Sequence, residues 1–364
     1  MKNLFKNFVY NILFFLVLIV ITELILGSWF KSDSFGSTIR NGRLKDRLYE
    51  VEHNSKKYVF RYKKNFYGFR GEEVDPKKIK FFLLGSSQSN EKYKPEELTI
   101  VGHLNNYLVN SGFEKIKIYN ASQEGYSSFG FNKFLSTFYP KIKNFNPEKM
   151  IIHIGLNDGE LCNDFVEKEK NNKFNSKNIT DTLVESNKIK KLKDYIKNNS
   201  FFVGKIKIIQ LKYFNKKKQK IKTAAESGGD EYIQNQVNID YIDHSKARKI
   251  HSIDQMKNKY SVCKESILNN LNDILLFSKK NNIEILFINS IAYKGLKDDW
   301  LFYTNLLIED FANNNSLPYI DISKIKNFTV RDFYDNYHTT PMGSEKIAKF
   351  IYPDILNFLK NNHE

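Results

Sequence analysis

The chain has few of the residues that build small metal clusters. It contains two cysteines, Cys162 and Cys263, and neither lies in a CxxC or other metal-binding spacing. Apart from His338, discussed below, no histidine is paired with carboxylates at a metal-binding spacing. The sequence therefore predicts no metal and no cofactor. It leaves open whether the cysteines form a disulfide in an exported domain or remain two buried free thiols.

Arginine is also scarce, although the chain is strongly basic. The formal net charge is +16, and only seven of the 57 basic residues are arginine. A basic surface can attract nucleic acid, phospholipid or an acidic glycan. Proteins that read phosphate favour the bidentate arginine fork, however, and the chain contains no nucleic-acid-binding motif. We interpret the lysine excess as compositional bias and a solvated surface, and we expect no nucleic-acid partner.

A long apolar run lies at the N-terminus. Residues 8–26 read FVYNILFFLVLIVITELIL and would span about 28 Å as a helix, close to the thickness of a bilayer core. A cleaved signal peptide would have a shorter apolar region and small residues before the cut. Residues 1–27 are therefore predicted to be an uncleaved membrane anchor. Glu23 lies near the end of the span and is expected to reach the interface.

The charges that flank this run do not fix its orientation. Basic residues lie on both sides, at Lys2, Lys6, Lys31, Arg40, Arg43 and Lys45. A short leader before a large domain is nevertheless typical of a signal anchor with an exported C-terminal domain. We therefore predict a single-pass protein whose main domain is extracytoplasmic or periplasmic.

The rest of the chain alternates strand and helix patterns. Residues 28–55 are polar and predict a linker, and a domain follows over residues 56–360. Buried strands are predicted at 80–84, 115–119, 150–154, 284–289 and 318–322. Helices are predicted at 96–110, 128–139, 258–280, 299–314 and 341–360. This alternation predicts a mostly parallel sheet with helices on both faces.

One segment interrupts this alternation. Residues 160–257 are rich in lysine and asparagine and are too long for an ordinary connection between two strands. We interpret them as an insertion with a helix at about 180–197. A lid, a partner surface and plain disorder all remain open for this segment.

A serine-rich turn follows the first predicted strand of the domain. Binding sites of open α/β sheets lie at the carboxyl ends of the strands, where Ser86, Ser87 and Ser89 compete for a functional role. Gly85 would let the backbone turn. Serine is common in loops, so the segment alone indicates no more than a turn.

Two further segments follow the next two strands. Gly125 could offer a backbone N–H to a site at this edge, and the side-chain amide of Asn157 could donate to a developing oxyanion. Asp158 could cap the next turn. Each of these residues is equally typical of an ordinary turn.

A carboxylate and an imidazole lie on one loop before the last helix. Asp335 and His338 are close enough in sequence to touch, so that Asp335 could hold one ring nitrogen while the other faces Ser87. Thr340 before Pro341 predicts a helix N-cap, and capping alone is the alternative role of this loop. His153 lies inside an apolar strand and is predicted to be a core residue.

In this order, the segments of Ser87, Gly125, Asn157 and Asp335–His338 resemble the four blocks of the SGNH (GDSL-type) hydrolase superfamily. The segment at 65–71 (NFYGFRG) is similar to that of membrane-anchored members. The resemblance covers nearly the whole predicted domain except the insertion. It implies a flavodoxin-like three-layer α/β/α fold with a five-stranded parallel sheet.

The resemblance also implies roles for single residues. Ser87 matches the nucleophile, and Asp335 and His338 complete a catalytic triad. Ser87, Gly125 and Asn157 match the oxyanion donors. Two departures distinguish the chain from simple lipases of the family: Ser86 replaces the usual aspartate, and Gln88 replaces the usual apolar residue.

The function implied is that of a serine esterase or O-acyltransferase that works through an acyl-enzyme. Membrane anchoring suggests a cell-envelope substrate, either an O-acetylated glycan or an acylated lipid. A non-catalytic glycan-binding assembly protein on the same scaffold is the alternative. The sequence does not distinguish hydrolysis from transfer, and it does not indicate an oligomeric state.

Overall fold

The protein has an N-terminal helix, a small sheet and a larger sheet covered by helices. The computed structural model describes residues 2–27, 29, 45–53, 56–170, 196, 200–209, 219–220, 252–293 and 298–360. In chain order the elements are α1 (Lys2–Leu26), β1 (Lys45–His53), β2 (Lys56–Lys64), β3 (Phe81–Gly85), α2 (Ser87–Asn90), α3 (Ile100–Asn110), β4 (Ile118–Asn120), α4 (Ser128–Lys133), β5 (Lys149–His153), α5 (Leu156–Lys170), α6 (Phe201–Ile209), β6 (Gln219–Lys220), α7 (Ile253–Lys259), α8 (Ser261–Lys280), β7 (Glu284–Ile288), α9 (Asp299–Asn314), β8 (Tyr319–Ile320) and α10 (Pro341–Lys360).

The larger sheet has five parallel strands in the order β4-β3-β5-β7-β8. This is the order of a flavodoxin-like doubly wound sheet, as the resemblance implies. The central strands β3 and β5 are buried along their whole length. Because helices cover both faces of such a sheet, the side chains on both sides of each strand are buried. These strands are therefore near-continuous apolar runs in the sequence.

Helices cover both faces of this sheet. Successive strand residues point to opposite faces, so Phe82 and Ile152 belong to one core while Leu83 and Ile151 belong to the other. The first core is closed by α4, α5, α8 and α9, and the second by α3 and α10. The predicted three-layer α/β/α arrangement is therefore confirmed.

The helices agree with the predicted ranges in type but differ in detail. Helices α9 and α10 have the predicted bounds. The predicted helix at 258–280 is divided at Tyr260 into α7 and α8, and the one at 128–139 changes from α4 to π and 3₁₀ turns after Lys133. The helix predicted at about 180–197 lies outside the described residues, apart from residue 196.

Part of the predicted linker at 28–55 is a strand, which corrects that prediction. Strand β1 pairs antiparallel with β2, and the short β6 from the insertion adds to β1 in parallel. The side chains of Tyr49, Val51, Phe60 and Tyr62 bury one face of this hairpin. These apolar residues alternate with charged residues, a period-two pattern that indicates a strand. The linker prediction considered only the polar composition of the segment and did not use this pattern.

The two cysteines form a disulfide, which settles the alternative that the sequence left open. Cys162 in α5 and Cys263 in α8 are bonded, with a Cα–Cα distance of 5.8 Å and a sequence separation of 101 residues. The bond joins the two helices at which the insertion leaves and re-enters the α/β layers. It therefore closes the base of the insertion.

Helix α1 contains a long apolar run that the described part of the protein leaves exposed. Residues Lys6–Leu26 have a mean hydropathy of 2.6 in their most apolar window, and none of that window is buried. A helix of this length and composition can cross a membrane or act as a signal sequence.

Glu23, which the sequence places near the end of the apolar span, contacts the start of α6. Its carboxylate accepts hydrogen bonds from the Ser200 hydroxyl, from the amides of Phe201 (2.8 Å) and Phe202 (3.2 Å), and from the indole N–H of Trp29 (3.3 Å). A carboxylate at a helix N-terminus satisfies amides that have no partner within the helix. Glu23 therefore joins α1 to the insertion.

We expect loss of the disulfide to destabilise the protein. The Cys162→Ala/Cys263→Ala double variant should have a free energy of unfolding lower by about 2–4 kcal/mol, because the unfolded chain regains the freedom of a long loop. Urea denaturation measures this difference. A reductant should lower the midpoint of the parent protein and leave that of the double variant unchanged. Equal midpoints for parent and variant would contradict the prediction.

Candidate active site

The serine turn lies at the carboxyl end of central strand β3. Ser87 is the first residue of the four-residue helix α2, and Ser86 is its N-cap, whose hydroxyl accepts from the amide of Gln88 at 3.4 Å. Serine is among the residues preferred at a helix N-cap, and Ser86 fills that position here. Gly85 must be small here, because a Cβ would lie 2.7 Å from the Ser89 hydroxyl oxygen.

The structure separates the three serines that the sequence could not rank. Ser86 and Ser89 are buried, and the Ser89 hydroxyl lies 2.6 Å from Nδ1 of the buried His153. Burial lowers the pKa of His153 to about 4, which keeps this core histidine neutral. Ser87 lines the surface cleft that also contains His338, and Ser86 and Ser89 do not line that cleft.

Asp335 and His338 form the hydrogen-bonded pair expected from their spacing. His338 Nδ1 lies 2.8 Å from Asp335 Oδ2 and 3.0 Å from Oδ1. The backbone amides of Tyr337 and His338 also donate to Oδ1, at 2.9 and 2.8 Å. Burial opposes ionisation of Asp335, but these hydrogen bonds and the His338 charge outweigh it and lower the carboxyl pKa. An ionised Asp335 therefore holds Nδ1–H and leaves Nε2 available.

The loop that carries this pair is closed on itself and fixed to α10. Phe333 and Thr339 form an antiparallel bridge, and the Tyr334 amide donates to the His338 carbonyl at 2.7 Å. The Thr340 hydroxyl accepts from the Gly343 amide at 3.2 Å, which confirms the predicted N-cap. The imidazole is therefore positioned by backbone contacts as well as by Asp335.

Ser87 and His338 line the same small cleft. The other lining residues are mostly polar or charged: Gln88, Glu91, Lys92, Tyr93, Lys94, Glu124, Tyr334 and Thr339. No hydrogen bond joins Ser87 to His338 among the described residues. Catalytic hydrogen bonds are often long in the absence of substrate and shorten in the complex. A catalytic pairing of Ser87 and His338 therefore requires that both side chains line one cleft, as they do here.

The structure does not place the other two expected residues in this cleft lining. Gly125 has φ +74°, and a Cβ added at this position would have no atom within 4 Å. Asn157 is half-buried in the first turn of α5. Both follow strands that end at the same edge of the sheet as β3. Asp158, expected to cap the next turn, instead accepts from the amide and hydroxyl of Ser128 at the start of α4.

Gln88 connects the serine turn to the histidine loop. Its side-chain amide donates to the carbonyls of Tyr337 (3.0 Å) and Ile291 (2.7 Å). Tyr337 directly precedes His338. An apolar residue at position 88 could not make these bonds, so Gln88 has a structural role here.

A buried ion pair makes a second connection between the same two segments. Glu91 ends α2 with φ 49°, and its carboxylate accepts from Lys94 Nζ (2.5 Å), the Ile100 amide (2.6 Å) and the Ser344 hydroxyl (2.5 Å). The side chains of Glu91 and Lys94 are each 2% exposed. Lys94 also donates to the Thr339 hydroxyl at 3.2 Å and to the Thr340 carbonyl at 3.3 Å.

The sequence analysis missed this pair. Glu91 and Lys94 stand three apart among other charged residues, a pattern more typical of a solvated surface. The signal that could have identified them is their position directly after the serine turn.

Arg70, from the segment at 65–71, supports the end of α2. Its buried guanidinium donates to the carbonyls of Asn90 (2.5 Å) and Glu91 (2.7 Å), and also to that of Lys94. The Gln123 side chain donates to the Gly68 carbonyl at 3.0 Å. The 65–71 segment is therefore a brace between the serine turn and the loop of Gly125.

An ion pair at the cleft was also not anticipated. Glu124 Oε2 lies 2.9 Å from Lys92 Nζ, and the Asn90 amide donates to Oε1 at 2.5 Å. Burial opposes ionisation of Glu124, but Lys92, Asn90 and His338 outweigh it and lower its pKa. A carboxylate and an ammonium therefore border the cleft that contains Ser87.

Comparisons with known proteins give only distant similarities. No family model and no curated protein matches the chain. Matching solved structures include a GDSL-like lipase from Bacteroides thetaiotaomicron (11% identity, 79% of this chain and 92% of that chain, TM-score 0.37) and an acetyl xylan esterase (13%, 76% and 100%, 0.40). A psychrotrophic esterase from Pseudoalteromonas sp. also matches (12%, 77% and 99%, 0.38). Similarity this low does not assign a function, so the site itself has to carry the assignment.

We expect the buried pair to matter far more for stability than an exposed one. Lys94→Met would leave the Glu91 carboxylate buried without its cation and should lower the free energy of unfolding by about 3–5 kcal/mol. Lys80→Met is the matched control, because Lys80 and Glu148 pair at 2.9 Å while 44% and 41% exposed. The control should cost about 0–1 kcal/mol. Equal losses in urea denaturation would contradict a special role for Lys94.

Proposed function

We propose that the protein is a membrane-anchored serine ester hydrolase or O-acyltransferase of the SGNH type. The observation that carries the proposal is the Asp335–His338 pair, whose imidazole lines one cleft with Ser87 at the carboxyl edge of the sheet. Ser87, Asp335 and His338 are its triad. A binding protein would have no need of all three, so this arrangement favours catalysis over the glycan-binding alternative.

The reaction proceeds through an acyl-enzyme. His338 Nε2 takes the Ser87 proton as the serine oxygen bonds to the ester carbonyl carbon. The amides of Ser87 and Gly125 and the side chain of Asn157 meet the oxyanion. The bond to the alcohol then breaks, and His338 protonates that alcohol as it leaves.

The second half of the reaction repeats these steps with a new nucleophile. Water or a sugar hydroxyl attacks the acyl-serine, gives its proton to His338, and restores the Ser87 hydroxyl when the acyl–serine bond breaks. Asp335 stabilises the imidazolium in both halves. Exclusion of water from the acyl-enzyme decides between hydrolysis and transfer.

The cleft favours a short acyl group on a polar alcohol. It is small, and Lys92, Tyr93 and Glu124 place an ammonium, a phenol and a carboxylate along its lining. Such groups can hydrogen-bond sugar hydroxyls but are poorly suited to burying an alkyl chain, which would desolvate them without compensation. The proposed substrate is therefore an O-acetylated glycan of the cell envelope. An acylated lipid is the second candidate.

We propose further that α1 stays attached as an anchor and that the α/β domain lies outside the cytoplasm. The hydrogen bonds of Glu23 to the start of α6 support retention of α1, because cleavage would remove them. The Cys162–Cys263 disulfide supports an oxidising compartment, where such bonds persist.

Ser87→Ala should abolish labelling by a fluorophosphonate probe and lower esterase kcat on the order of 10⁴–10⁶-fold, because no nucleophile remains. Gel-based labelling and a nitrophenyl acetate assay measure the two effects. Ser89→Ala is the matched control, since Ser89 is buried against His153 and should leave labelling intact. Retained labelling in Ser87→Ala would refute the nucleophile assignment. A parent protein that neither labels nor cleaves esters would favour the binding-protein alternative.

The acyl preference tests the substrate class separately. We expect kcat/KM to be higher for nitrophenyl acetate than for nitrophenyl octanoate or longer esters, because the polar cleft does not accommodate an alkyl chain. Release of acetate from O-acetylated polysaccharides should accompany this preference. A preference for long chains would instead identify a lipid esterase with the same nucleophile.

A further inference from the structure

The end of the apolar helix and the insertion meet at one acidic residue. Glu23 is the carboxylate to which the amides of Phe201 and Phe202 and the Ser200 hydroxyl donate. It lies 177–179 residues away from them in sequence. The start of α6 is thereby fixed in space relative to the end of α1.

The position of Glu23 along α1 sets the level of α6 relative to a bilayer. Glu23 precedes the last residue of the apolar span, Leu26, by three residues, or about 4.5 Å of helix rise. Groups hydrogen-bonded to Glu23 must lie at nearly the same depth. If α1 crosses a membrane, α6 begins at the boundary between the acyl chains and the headgroups.

We propose that α6 is an interfacial helix that rests on the lipid surface beside the end of α1. This inference depends on the proposed anchoring by α1 but not on the proposed catalytic activity. Its partner is the bilayer boundary itself, with the exposed Ile206 side chain in the outer acyl region.

The residues of this region suit such a position. Six of the nine residues of α6 are apolar, and Ile206 is 54% exposed in the protein alone. The ammonium of Lys205 lies 5.5 Å from the centre of the Phe201 ring, a basic and aromatic pair of the kind found at membrane surfaces. Trp29 donates to the same Glu23 carboxylate, and tryptophan is enriched at this boundary.

Depth-dependent fluorescence quenching in the full-length chain tests the proposal. The two native cysteines are paired, so a single added cysteine can carry an environment-sensitive fluorophore. We would label Ile206→Cys in α6, Ile21→Cys in α1 and Val109→Cys in α3, all exposed positions. The labelled proteins would be reconstituted into vesicles of zwitterionic and anionic phospholipid, with and without a spin-labelled lipid as quencher.

We expect the Ile206 probe to show blue-shifted emission that the spin-labelled lipid quenches, as for Ile21, while the Val109 probe stays unquenched. Quenching at Ile21 but not at Ile206 would overturn the proposal and leave the anchor in place. Blue-shifted but unquenched emission at Ile206 would also overturn it, because protein would then cover α6. Absence of quenching at Ile21 as well would refute the anchor on which the proposal depends. Esterase activity in the same samples reports on the catalytic proposal independently.

A second variant tests the role of Glu23. Glu23→Ala removes the acceptor for the amides of Phe201 and Phe202 and should reduce quenching at the Ile206 probe. Thr22→Ala is the matched control, because the Thr22 hydroxyl donates only within α1, to the Leu18 carbonyl at 2.8 Å. Unchanged quenching in Glu23→Ala would show that Glu23 does not hold α6 at the surface.

Discussion

The candidate site depends on the buried pair of Glu91 and Lys94. The parallel sheet brings Ser87 to its carboxyl edge, but it does not by itself fix a loop that lies about 250 residues later in the chain. The pair makes that connection, because Glu91 ends the helix of Ser87 while Lys94 bonds to Thr339 and Thr340, next to His338. Burying two charges is unfavourable unless hydrogen bonds satisfy them. Here the Ile100 amide and the Ser344 hydroxyl also donate to the Glu91 carboxylate, so the buried pair is hydrogen-bonded in this arrangement of the two segments.

Gln88 and Ser86 support the same connection as this pair. Gln88 adds a direct bond from the serine turn to the carbonyl of Tyr337, and a glutamine amide can also reach Ile291. Ser86 still caps α2. Arg70 donates to the carbonyls at the C-terminal end of α2. A helix of four residues has little stability of its own. The short helix that presents Ser87 is therefore stabilised from outside, and the unusual residues contribute to that support.

What the sequence could predict follows from how local each signal is. The strands of the larger sheet are continuous apolar runs, and Asp335 and His338 lie three apart, so both could be predicted without knowing the fold. Gln88 and Lys94 also bond to partners about 200 to 250 residues away, and their position directly after the serine turn does not show which residues those partners are. The disulfide was an open alternative for the same reason. Strand β1 was missed although its alternation is local, because its charged residues resemble those of a linker.

The described parts of the insertion contact α1, the hairpin sheet and the helices of the larger sheet. Its base is closed by Cys162–Cys263, only five residues after Asn157 at the strand end that borders the candidate site. Its helix α6 is bonded to Glu23 of α1, and its strand β6 extends the hairpin sheet at β1. Within the described residues, the insertion thus contacts the rest of the chain at α8, α1 and β1. A segment that looks like a dispensable loop by composition therefore supplies contacts to α1, to the hairpin sheet and to a helix that covers the larger sheet.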